Sequence, residues 1–193
     1  MSAQVDTAQS PPPRRTSGST RILLAALLGA LVALSVGLYA RVHDPASDLA
    51  ITLGFKDTIT MKVWLASIAL FFAFVQIGSA GWMYRWLPLG RAPKWMGGLH
   101  RISGRLAFLF SLPVAYHCMY QLGFQDSTAR VLAHSLLGSG FYGAFATKVM
   151  LVRSKGLPSI RLPIAGGLLF AVLVGVWLTS GLWFISENGF PSP

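Results

Sequence analysis

The chain has 193 residues, of which 53% are hydrophobic and only 11% charged, and its mean hydropathy is +0.57. That is too apolar for a soluble domain of this size, and several runs approach the roughly 20 residues needed to cross a bilayer. The formal charge of +10 does not indicate nucleic acid, because the basic residues sit in short stretches between apolar runs and form no single polar face. One cysteine, Cys118, excludes an internal disulfide and a thiolate-held iron–sulfur cluster within one chain. What remains is an all-α integral membrane bundle, with the lipid bilayer as its first partner.

Residues 1–20 are rich in Ser, Thr, Pro and Gln and read as a disordered tail. The first apolar run, 22–40, follows Arg21 and is longer than a signal-peptide core, with no small-residue cleavage site; it reads as a retained signal anchor. A polar connection from Arg41 to Thr60 carries Asp44, Asp48, Asp57 and His43, the last read as a solvated loop residue. The second span is expected at 63–83, with Trp64 at one end and Trp82, Tyr84 and Trp86 at the other as interfacial anchors. After a basic loop, the third span at 100–122 contains Pro113, which loosens the helix and frees a carbonyl for a neighbouring group. The fourth, 127–152, opens at Ser127 as an N-cap and carries Lys148, read as a snorkelling orientation charge. A basic turn with Arg153, Lys155 and Arg161 leads to the fifth span, 163–184, which begins at Pro163 and leaves 185–193 as a short polar tail. The membrane domain is thus 21–184, with five transmembrane helices.

Counted by alternate sides, twelve of the sixteen Lys and Arg residues fall with the N-terminus, and Arg41, Lys56, Lys62 and Arg130 fall opposite. Positive charge marks the cytoplasmic side, so the N-terminus is in, the C-terminus is out, and the expected location is a plasma (bacterial inner) membrane, crossed several times.

The stretch Leu99 to Val152 holds three of the four histidines in otherwise apolar sequence. His117 and His134 bracket the polar break 123–127 symmetrically. In a hairpin of two membrane helices they lie level, each roughly 8 to 10 Å below the outer face. Intramembrane ionisable groups need a partner, and the simplest shared one is haem iron, one haem b per chain with His117 and His134 as its metal ligands. Arg130, one turn outward of His134, is placed to meet a propionate, and Gly138, one turn inward, leaves room for a flat ring. The alternative is that both histidines are packing residues, His117 held by the carbonyl freed at Pro113 and His134 by a serine. Hairpin helices also sit only about 8 to 10 Å apart, tight for a haem, so either the hairpin splays or one of the two is not an axial ligand. His100 lies about 25 Å from His117 along the helix and cannot share its haem; it reads as an interfacial residue, proton-linked or near a quinone headgroup. Gln76 reads as an interhelical hydrogen-bonding residue, and no carboxylate lies within an expected span.

The segments LHRISGRLAF from Leu99 and AHSLLG from Ala133 resemble two core helices of the cytochrome b561 superfamily. The whole chain, through PVAYHCMYQLGF and HSLLGSGFYGAF, also resembles a family of uncharacterised actinobacterial membrane proteins. The superfamily resemblance implies two haems on opposite sides of the membrane, with His100 matching an inner ligand and His134 an outer one. The expected partners are missing from MKVWLAS and RLPIAGG, and His117 is extra. These readings lead to an electron-transfer subunit, the membrane component of an oxidoreductase, whose partner is a redox protein or a membrane quinol and whose missing ligand a second copy of the chain could supply. Two other functions compete: a haem-free structural or assembly subunit, and a small transporter or channel, for which neither a repeat nor an intramembrane carboxylate is visible.

Overall fold

The computed structural model describes residues 18–46, 50–154 and 161–193, all helical or irregular, with no strand among them. Five long helices form: α1 (Gly18–Val42), α2 (Thr58–Met83), α3 (Met96–His117), α4 (Ala129–Arg153) and α5 (Arg161–Trp177). A π turn, Cys118–Leu122, prolongs α3, and another, Leu178–Leu182, joins α5 to a last helix, α6 (Trp183–Asn188). Four helical stretches are long and apolar enough to cross a membrane: α1, α2, α4 and Leu162–Asn188. The chain therefore has the character of an integral membrane protein. On α1, leucines 23, 24, 27, 31, 34 and 38 are all more than half exposed, a surface that lipid covers and water would not tolerate.

All the long helices but α4, which starts at Ala129, begin earlier than the expected spans. Helix α1 starts at Gly18, so 18–20 of the expected tail are helical; the rest of that tail, Asp48 and Lys155 lie outside the described residues. Helix α2 starts at Thr58, five residues before the expected span, because the Asp57 carboxylate accepts from the Thr60 N–H (2.7 Å) and hydroxyl (3.0 Å) and closes the first turn. Helix α4 is capped by Thr128, whose hydroxyl accepts from the Val131 N–H, and not by Ser127. At the far end the helix runs to Asn188, and the tail packs back on α2: Trp64 donates to the Pro191 carbonyl (3.0 Å) and its ring meets Phe190 edge-on.

Helices pack in the order α3, α2, α5, α4, α1. The α1–α4 crossing is close because Gly29 and Gly143 face each other; a Cβ on Gly29 would collide with the Thr147 hydroxyl and the Gly143 carbonyl. Helices α3 and α4, though consecutive, have no comparable backbone contact. Side chains bridge them instead. Phe108 stacks on Phe145 at 4.1 Å between centroids, and the Tyr142 hydroxyl donates to the Ser111 carbonyl (3.1 Å). With the buried Phe141 and Leu173, these residues form a septum that divides the space between the splayed helices into two cavities.

Candidate functional site: two cavities on either side of an aromatic septum

The larger cavity, about 370 Å³ and called outer after the side the charge pattern expects, is walled by apolar and small side chains of α2, α3, α4 and α5. That volume lies in the range of ligand sites, roughly 300 to 1,000 Å³. His134, Arg130 and Gly138 all line it, as their shared helix face requires. A Cβ on Gly138 would meet nothing within 4 Å, so the glycine opens real space. His134 Nδ1 lies 3.2 Å from Thr179 Oγ1. That hydroxyl donates to the carbonyls of Gly175 (2.8 Å) or Val176 (3.0 Å), so toward the imidazole it accepts. With the hydroxyl so oriented, the proton sits on Nδ1 and the lone pair on Nε2, the tautomer a metal-binding histidine adopts when its other nitrogen is held by a neighbour. The partner is a threonine, not the serine considered from sequence.

Arg130 donates from Nη1 to the Thr179 carbonyl (2.7 Å), and its guanidinium lies 3.7 Å over the Trp183 ring. Two of its attachments are thus on the α5–α6 joint, which fixes the charge at the cavity wall. Lys62, from the first turns of α2, lines the same cavity and lies close enough to His134 to act on it electrostatically. The sequence counted Lys62 only as an orientation charge. Among the described residues no carboxylate lines the cavity, so two cations and one imidazole lone pair face an apolar space without a described acidic partner there.

His117 is placed otherwise. It is fully buried, at 0% exposure, and is not in the cavity lining. Nδ1 donates to the Pro113 carbonyl at 2.9 Å, and Nε2 accepts the Ile51 N–H at 3.0 Å. The acceptor is Pro113's own carbonyl, one turn before the histidine. Both nitrogens are spent, and the bond to Ile51 straps the α1–α2 connection across the end of α3. Two further bonds tighten that strap: Ala46 N–H to the Tyr120 carbonyl and Phe124 N–H to the Ala40 carbonyl, both 2.8 Å. Gly123, at φ 68°, makes the last turn possible where a Cβ would approach the Ala40 carbonyl at 3.0 Å. His43 is packed, not solvated: its ring stacks on Tyr39 and meets Tyr120 edge-on, both at 5.1 Å, and Nε2 is buried without a hydrogen-bond partner.

On the other side of the septum, the inner cavity of about 240 Å³ holds His100, Gln76 and Lys148. His100 repeats the device seen at His134. Its Nδ1 is 2.9 Å from Ser79 Oγ, which donates to the Gln76 carbonyl (3.0 Å), so Nε2 again carries the lone pair. The Gln76 amide bonds across to α3 through the His100 carbonyl and Ser103 Oγ, an interhelical role, and Gly104 gives it room.

For a haem in the outer cavity, the residues present fit as one imidazole donor, His134, with two cations for two propionates and a gap at Gly138. Pairing His117 with His134 on one iron would require breaking the Ile51 N–H bond to His117 Nε2, while the Nδ1 bond to the Pro113 carbonyl could stay. The splayed helices remove the steric objection to a haem between α3 and α4, while the strap keeps His117 out of that space. Among the described residues no three His, Cys, Asp or Glu side chains come together, so a metal cage built from protein alone is not seen there.

Neither the curated proteins nor the solved structures contain a significant match to the chain. One family model does match, over residues 22–192, which takes in every helix described above except the first four residues of α1. The chain is therefore a member of the DUF6529 family, a family of unknown function.

Proposed function

We propose that the protein is a b-type cytochrome of a bacterial plasma membrane, crossing five times with its N-terminus inside, and that one haem b occupies the outer cavity as part of an electron-transfer subunit. The observation that carries this reading is the lining of that cavity: a histidine held with its lone pair on Nε2, two cations, a glycine gap and, among the described residues, no carboxylate. When bound, haem supplies one-electron chemistry. His134 offers Nε2 as the donor, and Thr179 holds its ring in one tautomer. Arg130, anchored on Thr179 and Trp183, and Lys62 neutralise propionate charge in a wall that excludes water. Met119 adds a thioether to the lining as a second soft donor. His117 positions the α1–α2 strap over the cavity's end instead of ligating. The resemblance of AHSLLG at Ala133 to an outer-haem helix of cytochrome b561 proteins supports the same assignment of His134. The electron partner is a redox protein or a membrane quinol.

The test is the absorbance of detergent-purified protein, oxidised and dithionite-reduced, with haem counted per chain. One haem with sharp reduced bands is expected, lost in His134→Ala and in Gly138→Leu, which fills the gap, and retained in His117→Ala. A colourless protein after expression with ample haem overturns the reading. The full engagement of His117 favours the second reading in that event, a haem-free assembly subunit whose histidines are structural and which copurifies with a larger membrane complex.

A further inference from the structure

Lys148 has no place in the outer site. Its ammonium stands in the inner cavity among Phe108, Phe141, Phe145 and Phe170, and the one hydrogen bond it makes there is a long one, 3.4 Å to the Gln76 amide oxygen. An ammonium has three donors, and among the described residues no carboxylate lines this cavity. Beside it, His100 presents the opposite character, a lone pair on Nε2, with Ser79 Oγ accepting from Nδ1–H. With the Gln76 amide engaged by α3 and Lys148, and Tyr84 and Trp86 at the edge, the polar equipment left within the slot is one cationic donor and one neutral acceptor. The slot opens toward Gly166 and Gly167 of α5, where a Cβ would meet nothing within 4 Å, and is edged by Tyr84 and Trp86.

We propose that the inner cavity binds the headgroup of a membrane-soluble quinol, one hydroxyl donating to His100 Nε2 and the other oxygen accepting from Lys148, with the apolar tail leaving past Gly166 and Gly167. A phosphate or carboxylate headgroup would satisfy Lys148 but set its negative charge against the imidazole lone pair. A ligand with a donor and an acceptor on one flat ring satisfies both, and the aromatic walls suit a ring. The proposal concerns binding alone; it stands on residues separate from the haem reading and deepens it by naming the donor class.

The experiment uses the full chain in phosphatidylcholine nanodiscs and a decyl-tailed azidobenzoquinol, photolysed and mapped by mass spectrometry. Labelling is expected on the inner halves of α4 and α5, competed by the unlabelled decyl quinol and not by phosphatidylglycerol. Lys148→Met and His100→Leu should each weaken it about tenfold, the loss of one hydrogen bond to a charged or buried partner, while Lys148→Arg largely keeps it. Labelling that ignores Lys148→Met, or that phosphatidylglycerol displaces, overturns the proposal, the latter in favour of a lipid headgroup. Labelling that persists in His134→Ala while haem is lost separates this site from the outer one.

Discussion

Replacing His117 with alanine separates a strap from a ligand. The substitution removes the acceptor for the Ile51 N–H and leaves a hole where a fully buried ring stood. Ile51 is 48% exposed, so losing this bond costs only about 0.5–1.5 kcal/mol, and truncating the fully buried ring adds about 1.5–3.5 kcal/mol. The Pro113 carbonyl loses little, since it still faces the turn of its own helix. The sum, about 2–5 kcal/mol, is a large share of the roughly 5–15 kcal/mol that holds a domain together. The assay is thermal unfolding in detergent, followed by circular dichroism, with amide exchange over residues 50–57 and the reduced spectrum of the same sample. The expected result is a clearly lower melting temperature, faster exchange at Ile51 and haem content near one per chain in material kept cold. Loss of haem with an unchanged melting temperature would refute the argument and return His117 to the iron.

Gly29→Leu should destabilise the α1–α4 crossing by about 1–3 kcal/mol or more, because the new side chain meets Thr147 and the Gly143 backbone; a melt reads the loss, and an unchanged melting temperature would mean that α1 docks elsewhere. The Asp57 carboxylate is held below the usual aspartate value chiefly by the Thr60 N–H, with the Thr60 hydroxyl and Lys56 acting in the same direction. A lowered folded-state value means that its contribution is fully present above the unfolded value of about 3.9 and disappears as pH falls through the lower, folded one. Melting temperature measured between pH 2 and 7 should therefore fall less steeply at the acid end in Asp57→Asn, which keeps the cap without the titration. Lys62→Met should leave the melt unchanged yet weaken haem retention against a haem-binding competitor such as apomyoglobin; equal retention would remove Lys62 from the site.

The face shared by Arg130, His134 and Gly138 was legible because residues four apart on one helix must align, whatever the helix packs against. Lys62 was not, since it reaches the same cavity from another helix and its sequence neighbourhood shows only a basic residue at a span's edge. As a packing residue His117 was expected to bond the carbonyl that Pro113 frees one turn earlier, and it bonds Pro113's own carbonyl instead. The N–H that completes its pairing comes from Ile51, 66 residues away in a connection with no periodic pattern. His43 looked solvated because Arg41 and Asp44 flank it, and Tyr120, from the end of α3, is what covers it.

The sequence by itself determined that the chain is a helical membrane protein, since runs of apolar residues near 20 long have one economical way to satisfy their backbone in lipid. It also determined which residues share each helix face. Only the tertiary structure decided that α3 and α4 stand apart, bridged by Phe108, Phe145 and Tyr142, and that two cavities result. Helix order in a bundle depends on which small and aromatic faces meet, a sum of many weak contacts between distant segments, and that same sum set one histidine in a cavity and locked the other in a strap.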